Sequence, residues 1–233
     1  MKYRIIFIAL IGIQSICAQS FTGEQLLEKA IQYHDPLGNW DTFQGDFKVV
    51  LEMPDKPNRE STITIDLPQE YFKVSTTQDG KVSFREIKNK HCRFSTETKE
   101  VKEAVLGSNE CDRTTMFKNY YTYLYGLPMK LADQGTRINE LVVRKTFKNK
   151  EYLVLRVTYD EAIGSDIWQF YFNPETYAME VYQFFKGEDE TTGEYILLTG
   201  ELEVNGIKMP KDRAWFYNKN DGYLGTDKLV EKE

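Results

Sequence analysis

The stretch IWQFYFNPETYAMEVYQFF, residues 167–185, constrains this chain most. It reads as two strands joined by a tight turn at Asn173-Pro174-Glu175-Thr176. Pro174 presets the backbone of a turn's second position, and Asn173 suits its first. Symmetric closure would set Phe172 opposite Tyr177, Phe170 opposite Met179 and Trp168 opposite Val181, with Gln169 facing Glu180 on the other side. One face would then be apolar throughout, and a slip of one residue would destroy that segregation. A lone hairpin cannot hide such a face, so the remainder of the chain must cover it.

That remainder is mostly more of the same pattern. Phe47, Val49, Leu51 and Met53 alternate with polar or smaller residues, as do Ile63, Ile65 and Leu67, and later Leu153, Leu155, Val157 and Tyr159. Alternation bounded by turn residues marks half-buried antiparallel strands, about ten of them here. Asn205-Gly206 is a two-residue hairpin signal that pairs Val204 with Ile207 and Glu203 with Lys208. The tail from Lys228 is expected to fray.

Two segments have helical periodicity instead. Thr22 and Gln25 form a capping box ahead of Leu26, Leu27, Ala30, Ile31 and His34, and Pro36 and Gly38 end that helix. A second helix is expected from an Asp112 cap to about Tyr125, with Met116, Tyr120, Tyr123 and Leu124 as its apolar stripe. Two helices cannot cover both sides of a wide sheet. The expected class is therefore mainly β (α+β), one large curled antiparallel sheet or half-open barrel with both helices in the concave face. Residues 19–233 are expected to form a single half-barrel domain.

Residues 1–18 stand apart. Lys2 and Arg4 precede an apolar run from Ile5 to Ile13 and a mostly small segment ending at Ala18, the pattern of a secretory signal. The run is too short to span a bilayer, and no other stretch could. Acylation at Cys17 is disfavoured because Ile16 stands where a small residue is needed. Removal of 1–18 takes two positive charges and moves the formal charge from −6 to −8. Such an acidic chain is unsuited to neutralising phosphates, which excludes nucleic acid as a partner. The expected location is periplasmic or extracellular. In an oxidising compartment Cys92 and Cys111 could form a disulfide, or remain two separate buried thiols.

Chemistry-bearing patterns are scarce. The two histidines, His34 and His91, are too few for a closed zinc site, so no metal is expected. Zinc-protease, nucleophile-elbow, phosphate-loop and dinucleotide patterns are absent, so no catalytic residue and no cofactor is assigned. His34, Asp35 and Trp40 form the one candidate functional cluster, and Asp160-Glu161 reads as solvated loop charge. The positive feature is aromatic: 15 Tyr, 14 Phe and 3 Trp. Tyr120, Tyr123, Trp168, Phe170 and Phe172 are the candidates for lining a cavity left by incomplete closure.

The pieces His34-Asp35-Pro36, Leu127-Pro128-Met129-Lys130-Leu131, Asn173-Pro174-Glu175-Thr176 and Asn205-Gly206-Ile207-Lys208-Met209-Pro210 resemble a secreted bacterial family of unknown function. The order of elements resembles the LolA-like half-barrels that carry lipoproteins across the periplasm. That resemblance implies the fold, and by analogy the non-catalytic binding or carriage of a lipid or acyl chain. The alternative expectation is a cell-envelope scaffold whose core is filled and whose partner is an envelope protein. A hydrolase using His34 and Asp35 ranks below both.

Overall fold

Strand pairing runs unbroken from one end of the structure to the other. The computed structural model describes residues 22–96 and 100–230. Among them fourteen strands form one antiparallel sheet. The first half supplies β1 (Gln44–Met53), β2 (Lys56–Asp66), β3 (Tyr71–Gln78), β4 (Lys81–Lys88), β5 (His91–Thr96) and β6 (Lys102–Ala104). The second supplies β7 (Thr136–Ile138), β8 (Val143–Phe147), β9 (Lys150–Tyr159), β10 (Ile167–Phe172), β11 (Met179–Phe185), β12 (Glu194–Val204), β13 (Ile207–Tyr217) and β14 (Tyr223–Val230). Neighbours follow chain order within each half, except that β7 and β8 both pair with β9, and β14 sits between β1 and β13 to join the halves. The order ends at β6 on one side and β7 on the other without these two pairing, so the barrel is open.

The expected fraying of the tail is overturned for residues 228–230, and residues 231–233 lie outside the described residues. Lys228 pairs with Val50 on one side and Asp212 on the other, at the centre of the sheet. Gly225, Asp227 and Leu229 alternate inward from β14, and the Trp215 indole donates to Asp227 at 2.9 Å. A buried carboxylate is tolerated there because it has that partner.

The organising hairpin forms, but with a different register. Asn173 Oδ1 accepts the N–H groups of Glu175 and Thr176, and Tyr177 adopts a left-handed φ of 65°. The loop thereby extends to Ala178, whose carbonyl accepts from Asn173 N–H at 2.9 Å. Phe172 faces Met179, a bulge follows, and Phe170 faces Tyr182, Trp168 faces Phe184 and Gln169 faces Gln183. The inner face is apolar as expected. The outer face is also covered, since Tyr171 and Val181 pack with Tyr152 and Val154 in a second cluster.

Helix α1 (Gly23–His34) begins with the Thr22–Gln25 capping box and buries Leu26, Leu27 and Ala30. Each leucine so placed contributes about 1.5–3 kcal/mol. Helix α2 (Asn109–Gly126) starts from Ser108, not Asp112. Its buried residues include Cys111, Thr114, Tyr121, Leu124 and Tyr125. Met116 and Tyr120, expected inside, are 57% and 41% exposed. Tertiary anchors turn the helix: Cys111 is bonded to Cys92 on β5, and Tyr121 and Tyr125 lie beside Phe72 and Phe47. Both helices join the same core as the inner face of the sheet.

Candidate functional site

The burial that draws Tyr121 and Tyr125 into the sheet leaves another side of α2 polar. Lys118, Asn119, Thr122 and Tyr123 occupy that side and line a cavity of about 710 Å³. The opposite wall is Tyr159 at the end of β9, Trp168 at the start of β10 and the loop between them. The turn after α2 adds Lys130 and Asp133, which are paired to each other. The volume lies within the roughly 300–1,000 Å³ of small-molecule sites.

Aromatic rings bound the inner part. Tyr123 meets Trp168 edge to face at 5.9 Å, and the hydroxyls of Tyr123 and Tyr159 are 2.5 Å apart. Burial pushes the Tyr159 hydroxyl up to about 12 and the Tyr123 hydroxyl well above its usual range, so both keep their protons at neutral pH. One proton bridges the pair and the other is left for a further acceptor. Thr122 Oγ1 is buried and unpartnered. Two smaller cavities adjoin: one of about 320 Å³ shares Leu67, Lys118 and Thr122, and one of about 470 Å³ shares Asp133 and Thr136 and reaches α1.

The five aromatic candidates are split by the structure. Tyr123 and Trp168 come together in the large cavity. Tyr120 lines a separate cavity of about 340 Å³ with Arg59, Trp215 and Asp227. There burial raises the Asp227 carboxyl, against the pull of Trp215 and Arg213. Phe170 and Phe172 are fully buried in the core and line neither cavity.

The His34, Asp35 and Trp40 cluster is a joint. The ladder between β11 and β12 stops at Val181 and Leu197, which leaves the Met179 N–H without a strand partner. His34 Nε2 accepts it at 3.0 Å, and His34 Nδ1 donates to the Lys208 carbonyl at 2.7 Å. The ring is 1% exposed, and burial lowers its pKa. The Asp35 oxygens accept from Asn39 N–H at 2.8 Å and Trp40 N–H at 2.9 Å. The Trp40 ring closes over Gly126, where a β-carbon would collide with it. Among the described residues no group of three or more His, Cys, Asp or Glu is placed to hold a metal ion. Nor is any helix there long and apolar enough to cross a membrane.

Sequence reasoning missed Tyr159, Thr122 and Lys118 as wall residues. The available signal was the polar spacing Lys118, Asn119, Thr122 beside an aromatic helix face. Asp160, expected as solvated loop charge, forms an exposed ion pair with Arg137 at 2.6 Å.

Comparison with solved structures places the fold among known ones. A LolA superfamily protein from Nitrosomonas europaea superposes with a TM-score of 0.53 at 13% identity, covering 91% of this chain and 93% of its own. A Vibrio parahaemolyticus domain assigned to outer membrane lipoprotein sorting gives 0.51 at 12% identity, covering 90% and 92%. A DUF1329 family protein from Desulfovibrio piger gives 0.51 at 7% identity, covering 91% and 92%. No curated protein sequence matches. One family model matches residues 2–232.

Proposed function

This chain belongs to DUF6503, a family of unknown function, and from its geometry we propose an exported, non-catalytic protein that shelters an apolar or amphipathic molecule beside α2. The observation that carries this reading is the cavity of about 710 Å³ walled by Tyr123, Tyr159 and Trp168. A half-open sheet with helices in its concavity leaves such a space because two helices cannot fill it. The structural relatives add support at the level of fold alone, since they are 13% and 12% identical. The ligand in this reading is a lipid or acyl chain. Export rests on the pattern of residues 1–18, which lie outside the described residues, and the Cys92–Cys111 bond suits an oxidising compartment. Residues 19–233 act as one unit.

Catalysis finds little footing in the joint, because both ring nitrogens of His34 and both oxygens of Asp35 are already hydrogen-bonded. A second reading, an envelope scaffold, is favoured by one observation: Phe170 and Phe172 are fully buried in the core that the helices share with the sheet. Native mass spectrometry of protein purified from its own envelope, with titration of N-phenyl-1-naphthylamine, separates the two. Co-purifying lipid and saturable probe binding support carriage. Neither lipid nor probe would leave the scaffold.

A further inference from the structure

The large cavity carries more hydrogen-bonding groups than an acyl chain requires. Only Leu67, Ala162 and Ile163 contribute larger aliphatic surface to it, against three aromatic rings and a ring of hydrogen-bonding groups. Thr122 is 9% exposed, and its buried hydroxyl has no partner. Such a group costs about 1–3 kcal/mol unless something meets it. The Tyr123–Tyr159 pair holds one more hydroxyl proton than its single bond uses. At the mouth, Asn119 and Gln134 add amides able to donate and accept. The formal charges cancel: two lysines, Lys118 and Lys130, against two aspartates, Asp133 and Asp166, with Lys130 and Asp133 bonded to each other.

We propose that this cavity receives the uncharged, polyhydroxylated head of an amphiphile, a saccharide, with Thr122, Asn119 and the Tyr123–Tyr159 hydroxyls meeting its hydroxyl groups and the Trp168 ring bounding its C–H surface. The proposal rests on the carriage reading and specifies its ligand. A balanced wall gives no preference for an anion or a cation, whereas a sugar matches mixed donors and acceptors, and its C–H edges match aromatic rings. The adjoining spaces beside Leu67 and beside Leu27 and Ile31 offer the attached chain an apolar continuation.

Isothermal titration with three eight-carbon amphiphiles below their micelle concentrations tests this: n-octyl β-D-glucoside, octanoate and octyl phosphate. The glucoside is expected to bind at least tenfold more tightly than either anion. Thr122→Val keeps the side chain's shape and removes an unpaired hydroxyl, so the variant should fold normally and bind the glucoside at least fivefold more weakly. Asn119→Ala, at an exposed position, gives the same readout if Thr122→Val misfolds. Equal or tighter binding of an anion, or unaltered glucoside binding by the variants, overturns the head-group assignment and leaves carriage standing. Binding of the naphthylamine probe with none of the three octyl compounds overturns it likewise. Failure of the probe as well removes both readings.

Discussion

Arg213 on β13 donates from Nη2 to the carbonyl of Leu124 at 3.1 Å, so a strand of the sheet caps the last turn of α2. The guanidinium is 1% exposed, donates from Nη1 to the Pro210 carbonyl at 3.2 Å and lies 4.1 Å from the centre of the Tyr125 ring. It forms no ion pair among the described residues. The Asp227 carboxyl stands opposite it on β14, and the negative end of the helix dipole and the face of an aromatic ring add to that neighbour's pull. Arg213→Met should cost about 3 kcal/mol, because buried bonds to a charged donor are lost and two carbonyls are stranded. Arg213→Lys should recover only part, since an ammonium lacks the planar fork. Urea unfolding checks both. Stability of Arg213→Met within about 0.5 kcal/mol of wild type would show that the cap is dispensable.

His34 makes stability pH-dependent with a definite sign. Its folded pKa is lowered chiefly by burial, with Lys208 and Arg213 adding to the effect and the Lys208 carbonyl and Glu201 opposing it. The unfolded chain therefore binds the proton first as pH falls below about 6.5. Stability is lost through that window down to the lower folded pKa, and then levels off. Protonated Nε2 would also point an N–H at the Met179 N–H it now accepts. Asp227 and Glu194 have raised pKa values, mainly through burial, so they contribute the opposite slope at lower pH. They are present in both proteins, so the difference between wild type and His34→Gln isolates the histidine. Chemical denaturation from pH 7 to pH 5 should show a steeper loss in wild type. Parallel curves would end this account.

Cys92 and Cys111 are joined with their Cα atoms 5.4 Å apart, and 19 positions separate them in the chain. The bond ties β5 to the first turn of α2. Closing a loop of that length restricts the unfolded chain by about 3 kcal/mol. Reduction, or Cys92→Ala with Cys111→Ala, should lower stability by about that amount and raise hydrogen exchange first in the N-terminal turns of α2. Uniform exchange along α2 after reduction would contradict the local role.

Much of the fold was legible where one local signal sufficed. The Thr22–Gln25 capping box and the Asn205-Gly206 turn, with Val204 opposite Ile207 and Glu203 opposite Lys208, stand as their residues indicate. What escaped depended on partners distant in sequence. β14 carries Gly225, Asp227 and Lys228, which break apolar alternation, and only the pairing with β1 and β13 makes it a strand. β6 and β7 have three residues each, too few to show a period. The rotation of α2 follows from Cys92 and Arg213, neither of which lies in the helix. At the site, Tyr123 and Trp168 could be picked as aromatics, whereas Thr122 and Lys118 looked like an ordinary solvated face.

Trp168 and Phe170 are neighbours on one strand with nearly parallel rings 5.9 Å apart, yet they do different things. Phe170 is fully buried, so Phe170→Ala should cost about 3–5 kcal/mol through lost transfer energy and an unfilled void. Trp168 is half-buried, with part of its surface forming cavity wall, so its truncation should destabilise less. It should also remove ring surface from the ligand, weakening N-phenyl-1-naphthylamine at least fivefold. Phe170→Leu preserves most of the packing and lies outside the lining of the large cavity, so its probe affinity should match wild type. Thermal unfolding and fluorescence titration of the three variants read the two effects separately. Wild-type probe affinity in Trp168→Ala, beside a loss in Phe170→Leu, would move the binding surface out of this cavity and into the core.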